Sequence, residues 1–319
     1  MSILVGIDEA GYGPILGPLV VSSTVFRLES KHLDSNLWDL LSRSVSKQKK
    51  NLRGRILICD SKKAYSRSAG IKHLQRTTLA SLKCMELEFA TLGDLWARLC
   101  PDCAGRLKNY PWHSKIDKQK LKADLKDIEI ASAVFNDNML SNGMKILEVE
   151  SQCLDVEYYN QMVDNVKNKA RVLFSAISLL IKKAFEKYGQ DDLQIIVDRQ
   201  GGRSYYGNSL QRMFPEKQLQ IIKETEAVSS YELKHGQNSM RIHFVVKADD
   251  KFLPVSLSSM VSKYLRELLV KNINDYFIDF CPELKPTAGY WQDGLRFIED
   301  LKKHIPHVQY DPKQLIRSR

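Results

Sequence analysis

The sequence predicts an α/β domain with a mixed central sheet flanked by helices. Short apolar runs of strand length alternate with longer stretches of helical spacing along the 319 residues. Carboxylates follow the apolar run at three of the predicted strand ends, as Asp8 with Glu9, as Asp198, and as Asp249 with Asp250. Because the ends of neighbouring strands converge at one edge of a sheet, we expect these acids to lie close together.

The individual elements follow from the spacing of apolar residues. The runs at 3–7 and 19–26 predict an opening hairpin. Further strands are predicted at 56–59, 144–153, 194–197, 218–226 and 240–247. Helical spacing predicts helices at 31–46, 68–88, 156–188, 255–280 and 291–303.

Composition bounds the class of protein and of partner. Hydrophobic residues make up 43% of the chain, which is enough to bury a full core. Lys and Arg outnumber Asp and Glu by 48 to 38, and this excess favours a polyanion, either nucleic acid or an anionic membrane surface. No apolar run approaches the length of a membrane span, and the N-terminus lacks the basic region of a signal peptide. Six scattered cysteines suit a reducing compartment, so we expect a cytoplasmic location.

The character of the chain changes between residues 92 and 142, which we interpret as an insertion. Residues 1–91 and 143–305 then form the main domain, and residues 306–319 form a basic and loose C-terminal tail.

The insertion contains a pair of cysteines, Cys100 and Cys103. Two thiols supply half of the four ligands that a structural zinc requires. His113 and Cys84 are conceivable partners, although their spacing matches no standard zinc pattern. Packed or exposed thiols are therefore favoured over a zinc site.

The stretch from Val5 to Val21 has two readings. An apolar strand ends in Asp8 and Glu9, and a glycine-containing loop follows at once. Taken alone, these acids are typical of a solvated strand end before a tight turn. The alternative is a metal-binding strand end beside a loop that admits a phosphodiester backbone, because glycines allow close approach of a ligand.

The later strand ends favour the second reading. Clustered carboxylates repel one another unless cations neutralise them, and hard oxygen ligands suit Mg²⁺ or Mn²⁺. Four carboxylates can hold two such ions, an arrangement used for in-line hydrolysis of phosphodiesters. Consecutive side chains of a strand point to opposite faces, so Asp8 and Glu9 are expected to share one site only through a break or bulge, which Gly11 would permit.

Several motifs together resemble the ribonuclease HII family, the type 2 ribonucleases H. They occur in the family's order and cover about half of the chain. The segments are DEAGYGPILGPLVV, CDSKKAYS, VKADDK followed by SLSSMVSKYLRE, and GYWQDGLRFIEDL. The resemblance implies a ribonuclease H-like fold with an inserted accessory segment, and an endonuclease of RNA–DNA hybrids that leaves 5′-phosphate and 3′-hydroxyl ends.

The resemblance also implies roles for particular residues. Metal-binding catalytic carboxylates are implied at Asp8, Glu9, Asp198 and Asp249. Asp249 is preferred to Asp250 because it stands two residues after Lys247. The implied substrate-binding residues are Gly11, Tyr12 and Gly13 for a ribonucleotide 2′-hydroxyl, Lys62 and Lys63 for phosphates, and Tyr290 for the sugar at an RNA–DNA junction.

The chain also departs from the family pattern. Tyr12 replaces the usual arginine of the glycine loop, and Arg199 follows Asp198 where glycine is usual. The stretch from Asp198 to Asp249 is longer than usual. Two alternatives to a hybrid-specific enzyme therefore stay open, namely a related nuclease for another duplex or junction, and an inactive nucleic-acid-binding protein. No obligate protein partner is evident from the sequence.

Overall fold

The computed structural model of the protein describes residues 1–65, 70–236 and 238–318. The predicted start of a helix at 68, the last residue of the CDSKKAYS segment and the last residue of the tail lie outside these ranges. The strands are β1 (Ser2–Ala10), β2 (Leu19–Leu28), β3 (Val45–Ser46), β4 (Ile56–Leu57), β5 (Lys145–Leu154), β6 (Asp192–Asp198), β7 (Gln218–Glu224), β8 (Val228–His235) and β9 (Asn238–Val245).

Helices fill most of the connections between the strands. They are α1 (Leu37–Leu40), α2 (Ser61–Ala64), α3 (Lys72–Lys83), α4 (Leu92–Leu99), α5 (Pro101–Leu107), α6 (Leu125–Ser141), α7 (Val156–Val166), α8 (Lys169–Tyr188), α9 (Gly207–Met213), α10 (Leu253–Phe280), α11 (Trp291–His304) and α12 (Pro312–Leu315). Single 3₁₀ turns occur at Ser30–His32, Pro111–His113, Ile116–Lys118 and Ala248–Asp250.

A mixed seven-stranded sheet has the order β5-β2-β1-β6-β9-β8-β7. The central strands β1, β6 and β9 are parallel, and β2 pairs antiparallel with β1 as the predicted hairpin. Helices cover both faces, so the predicted α/β class with a mixed central sheet is confirmed. The parallel strands β1, β6 and β9 end at the same edge, which is where the acidic residues occur.

Strand β1 lies between two hydrophobic cores. Ile3, Val5 and Ile7 pack in the core that α8 lines, whereas Leu4 belongs to the core that α10 lines. Gly6 lies on the α10 side, where the backbone of the first turn of that helix passes so close that no Cβ would fit. This contact sets the distance between the helix and the acidic end of the strand.

Two predicted helices differ in the structure. Residues 31–46 do not form one helix, because the side chain of Asn36 accepts a hydrogen bond from the backbone of Trp38 and starts the short α1 there. The helix predicted at 156–188 is two helices, since Lys167 has a left-handed backbone with φ of 48° and Asn168 caps α8.

One predicted strand also differs. The strand predicted at 56–59 pairs with β3 and stays outside the central sheet.

Several elements were not predicted from the sequence, among them a strand of the central sheet and a helix before β7. Strand β8 pairs antiparallel with both β7 and β9, and the short helix α9 lies between β6 and β7. Among the helices of the described ranges, none is both long and apolar enough to cross a membrane.

The segment predicted as an insertion forms α4, α5 and α6. Many of its buried side chains, among them Leu95, Trp96 and Phe135, belong to the core that α10 also lines. Its assignment as an insertion stays a prediction.

The cysteine pair of this segment is buried and in contact with a third thiol. Cys103 lies within hydrogen-bonding distance of Cys100 and of Cys153 from β5. Cys84 instead contacts Ser132. The thiols are therefore buried against one another. The third thiol comes from β5, which the spacing of the pair does not indicate.

His113 is buried among aromatic rings, with only 3% of its surface exposed. Its ring lies 5.7 Å from that of Tyr110 and 6.3 Å from that of Trp112. Burial lowers the pKa of His113 to about 3, against about 6.5 in an unfolded chain. The unfolded state therefore takes up a proton between these pH values while the folded state does not.

We expect this histidine to make the protein sensitive to acid. As pH falls below about 6.5 the free energy of unfolding should decrease, by about 2 kcal/mol between pH 8 and pH 5 for this one group. Denaturant titrations of wild type and His113→Gln measure the effect. The pH dependence of the variant should be shallower in this range, and equal slopes would contradict the assignment.

Candidate active site

The first two acids lie at the end of β1. Asp8 is 6% exposed, and its Oδ1 accepts a hydrogen bond from the backbone amide of Glu9 at 2.7 Å. The expected break or bulge is absent, because β1 keeps its register with β2 as far as Ala10. Pairing of β1 with β6 stops at Ile7. The carboxylates of Asp8 and Glu9 therefore lie past the last paired residues of these two strands, at the edge of the sheet.

Helix α10 supports this end of β1 with a row of serines. Ser258 donates to the carbonyl of Gly6 at 2.9 Å, and Ser262 donates to the carbonyl of Asp8 at 3.0 Å. Ser259 lies within hydrogen-bonding reach of the Asp8 carboxylate. Small hydroxyl side chains permit the close approach of helix and strand, and they satisfy polar groups that would otherwise be buried without partners.

Asp198 is the last residue of β6, the strand that lies next to β1 in the sheet and runs parallel to it. Its Oδ1 accepts a hydrogen bond from the backbone amide of Ala248 at 2.6 Å. That contact joins the end of β6 to the turn that carries Asp249. The two acids therefore come together although they are about fifty positions apart in the chain.

Asp249 lies in the 3₁₀ turn after β9 and not on the strand itself. The turn begins at Lys247, which has a left-handed backbone with φ of 54°. The neighbouring acid has a different environment, because the Asp250 carboxylate accepts a hydrogen bond from Lys63 at 2.6 Å. This contact lowers the pKa of Asp250, whereas the pKa of Asp249 is raised.

Electrostatics identify four of these carboxylates as one group. Burial, together with the charges of the other three, raises the pKa of Asp8 well above its ordinary value. Burial, together with the charges of Asp198 and Asp249, raises the pKa of Glu9 to about 7, and burial with the Asp249 charge raises that of Asp198 to about 6. Burial is the largest cause of the rise at Asp249. Four acids that disfavour each other's ionisation form a site of high affinity for positive charge.

The segment after β4 brings cations and a further acid to the group. The Lys62 charge offsets part of the rise in the pKa of Glu9, Asp198 and Asp249, so its ammonium lies near them. Asp60, which sequence reasoning missed as a site residue, raises the pKa of Asp249 and caps α2 through the amide of Lys62 at 2.8 Å. The signal was present in the sequence, since Asp60 also follows an apolar run directly.

The glycine loop leaves the acidic end of β1. Gly11 has φ of 95°, and a Cβ there would lie 2.5 Å from the carbonyl oxygen of Pro18 and 2.8 Å from the Arg266 side chain. Gly13 is exposed, with open space where a Cβ would be. The ring of Tyr12 is half-buried, with the ammonium of Lys169 5.2 Å from its centre. The loop is thus fixed at its base and open at its tip.

Tyr290 stands beside the same loop. The carbonyl of Gly289 accepts hydrogen bonds from the amides of Ile15 at 2.8 Å and Leu16 at 3.2 Å. The ring of Tyr290 is 48% exposed, and the guanidinium of Arg266 lies 5.9 Å from its centre. The predicted sugar-contacting residue is therefore connected to the predicted 2′-hydroxyl loop through backbone hydrogen bonds.

The acidic group suits a divalent cation by charge and donor type. All four side chains offer the hard oxygen ligands that Mg²⁺ and Mn²⁺ prefer. Within residues 1–65, 70–236 and 238–318, no three Asp, Glu, His or Cys side chains are already grouped as a metal-binding set.

Comparison with known proteins gives matches among solved structures. No protein-family model and no curated protein sequence matches the chain. The chain is similar to the ribonuclease HII of Archaeoglobus fulgidus, solved in complex with PCNA, with 18% identity, a TM-score of 0.48, and coverage of 99% of this chain and 94% of that one.

Two further structures show a similar extent of alignment. The ribonuclease H2 of Pyrococcus horikoshii OT3 has 14% identity and a TM-score of 0.39, with coverage of 98% and 92%. The RNase H3 of Aquifex aeolicus has 14% identity and a TM-score of 0.45, with coverage of 98% and 71%. These three structures are ribonucleases of types HII, H2 and H3.

Proposed function

We propose that the chain is a metal-dependent endonuclease that hydrolyses the RNA strand of RNA–DNA hybrids. The observation that carries the proposal is the meeting of Asp8, Glu9, Asp198 and Asp249 at one sheet edge, beside a glycine loop with an open tip. A single ribonucleotide embedded in duplex DNA is the second substrate we propose. The net charge of +10 supports a nucleic-acid partner, and the cytoplasmic location stays a prediction.

The four carboxylates would hold Mg²⁺ or Mn²⁺, with two ions expected during turnover. When bound, such ions generate a nucleophilic water and stabilise the attacking and leaving oxygens of an in-line displacement. The carboxylates of Asp8 and Asp249 come from the elements that α10 holds most directly, so they would fix the site. Glu9 and Asp198 would complete it, and the products would carry 5′-phosphate and 3′-hydroxyl ends.

The remaining site residues would position the substrate. The backbone of Gly11, Tyr12 and Gly13 would contact a 2′-hydroxyl, which distinguishes RNA from DNA. The exposed ring of Tyr290 would pack against the sugar of the next nucleotide. Lys62 would contact phosphates, and Lys63 would do so once its ammonium leaves the Asp250 carboxylate for a phosphate. These contacts would place the scissile phosphate over the acids.

A related nuclease for another duplex or junction is the second candidate. Two observations favour it. Tyr12 brings no charge to the glycine loop, and Lys63 is already paired with Asp250 at 2.6 Å. Both features reduce the positive potential around a bound ribonucleotide, so preference for an RNA–DNA junction could be weaker than in the family that the motifs resemble.

A cleavage assay on three labelled duplexes tests the proposal. One duplex is all DNA, one carries a single ribonucleotide, and one pairs a full RNA strand with DNA. The purified chain alone is assayed with Mg²⁺ and with Mn²⁺, and with a chelator as control. Cleavage confined to RNA positions and lost with the chelator would support the proposal. Salt-sensitive binding without cleavage of any duplex would favour the inactive binding protein.

Metal binding should also be visible without any substrate. Because the acids repel one another in the metal-free protein, Mn²⁺ should raise the melting temperature, by an amount that grows with the logarithm of its concentration above the dissociation constant. Asp249→Asn should reduce this increase, and Asp250→Asn should leave it nearly unchanged. Thermal unfolding over a Mn²⁺ series measures it, and equal shifts in all three proteins would refute the assigned site.

A further inference from the structure

The C-terminal segment ends under the glycine loop, where the sequence predicts a loose tail. Arg317 is 5% exposed. Its Nη1 donates to the carbonyl of Gly11 at 2.6 Å, and its Nη2 donates to those of Tyr12 at 3.0 Å and Pro14 at 2.5 Å. Its backbone amide donates to the carbonyl of Ile15 at 2.8 Å. One residue thus contacts four carbonyls of the loop.

Other contacts hold the segment in place. Leu315 is fully buried, and Ile316 forms a β-bridge with Leu16. Asn160 of α7 donates to the carbonyls of Lys313 at 3.0 Å and Ile316 at 2.9 Å. The expectation of a loose tail is therefore wrong for residues 312–318, because its apolar and backbone groups find partners that lie far away in sequence.

Peptide geometry links these contacts to the open side of the loop. In a trans peptide the N–H points opposite to the C=O of the same unit. The carbonyls of Gly11 and Tyr12 point at Arg317, so the amides of Tyr12 and Gly13 point away from it. Among the hydrogen bonds of the described residues, these two amides donate none. The guanidinium therefore turns two free donors towards the open side of the loop.

Charge adds to this effect. In the described part of the chain, Arg317 forms no ion pair, and its hydrogen-bond acceptors are neutral carbonyls. No carboxylate of the described residues therefore neutralises the guanidinium charge, which lies directly behind the loop. A positive charge behind outward-pointing amides strengthens their attraction for hydroxyl or phosphate oxygens.

We propose that Arg317 is a positioning residue that holds the Gly11–Pro14 loop in its substrate-binding conformation. Its positive charge lies beneath the loop and compensates for the uncharged side chain of Tyr12. The expected effect of Arg317 on turnover rests on the proposed function. Its expected effect on the order of the Gly11–Pro14 loop rests only on the contacts between Arg317 and that loop. Arg317 does not touch the reacting atoms and acts through the backbone of the loop.

Three variants separate this role from a general effect of the tail. Arg317→Met removes the donors and the charge at similar length, and Arg317→Lys keeps the charge with a different donor geometry. Lys313→Met is the matched control, because it removes one exposed charge from the same segment without a loop contact. Melting temperatures establish that each variant is folded, and if Arg317→Met is not, Arg317→Lys decides.

Hydrogen–deuterium exchange and steady-state kinetics are the two measurements. Exchange of peptides that cover residues 14–17, in which the amides of Ile15 and Leu16 donate to the carbonyl of Gly289, should speed up about tenfold or more in Arg317→Met. On the duplex with one ribonucleotide, kcat should fall about 10- to 100-fold, whereas KM and affinity for all-DNA duplex change little. Arg317→Lys should lie between wild type and Arg317→Met, and Lys313→Met should match wild type.

The outcomes distinguish this inference from the proposed function. Wild-type loop exchange and wild-type kcat in Arg317→Met would overturn the role of Arg317, and so would an equal change in Lys313→Met. If the wild-type chain cleaves none of the duplexes, the proposed function fails. The exchange comparison would then still decide whether Arg317 holds the loop.

Discussion

Asp249→Asn is expected to abolish cleavage of an RNA–DNA hybrid while affinity for the hybrid is largely kept. Asparagine keeps the size of the side chain and removes the negative charge that would bind a divalent cation. Loss of several kcal/mol of transition-state stabilisation corresponds to a decrease in kcat of about 1,000-fold or more. The phosphate contacts proposed for Lys62 would be unaffected, so binding should persist.

The neighbouring acid provides the control for this variant. Asp250→Asn makes the same chemical change one residue later, where the carboxylate pairs with Lys63 instead of facing the other acids. Its kcat should stay within about threefold of wild type. Single-turnover cleavage measures the cleavage rate of both variants, and filter binding measures their affinity for the hybrid. Turnover retained in Asp249→Asn would remove the basis for the metal assignment.

Asp8→Asn should show the same loss of turnover together with a gain in stability. The pKa of Asp8 is raised in the folded protein, so its ionised form destabilises the folded state above the ordinary pKa of an aspartate. Removing that charge should raise the melting temperature of the metal-free protein at pH 8. A variant that loses activity while it gains stability is typical of a residue kept for function.

Gly6→Ala is expected to destabilise the protein by about 3 kcal/mol or more. A Cβ at this position would lie 2.2 Å from the carbonyl carbon of Pro254 and 2.3 Å from the amide nitrogen of Val255. These are backbone atoms at the start of α10, so they cannot move aside as a flexible side chain would. Either β1 or α10 must shift, and the Asp8 contact with Ser259 shifts with it.

Denaturant unfolding measures this effect, with a matched glycine as control. Gly201→Ala makes the same change where nothing lies within 4 Å of the added Cβ and φ is not positive. Its free energy of unfolding should stay within about 0.5 kcal/mol of wild type, or rise slightly. Equal stability of Gly6→Ala and wild type would contradict the close packing of α10 on β1.

The acidic residues show how much of the candidate site can be predicted from local sequence pattern. Asp8, Asp198 and Asp249 each follow an apolar run, and in a parallel arrangement the ends of such strands meet at one edge. The sequence therefore indicated these positions, and the structure brings them together without the bulge expected at Glu9. Apolar periodicity does not distinguish Asp249 from Asp250. The resemblance prefers Asp249 for its spacing from Lys247, and the contact of Asp250 with Lys63 distinguishes their environments.

Other features depend on partners that are distant in the chain. Cys153 joins the pair Cys100 and Cys103 only because β5 passes beside α5. Asn36 and Lys167 end or restart helices through cap and backbone geometry that the apolar spacing at 31–46 and 156–188 does not register. In each case one or two polar residues outweigh the periodicity around them.

The sequence by itself determined the α/β class, the strands that carry acids and the glycines of the loop, because periodicity and strand-end composition are local properties. The tertiary structure alone decided that Arg317 lies under the loop and that Lys63 is paired with Asp250. These contacts join residues up to 306 positions apart. Their energies come from burial and hydrogen bonding that exist only once the chain has folded, so no local pattern announces them.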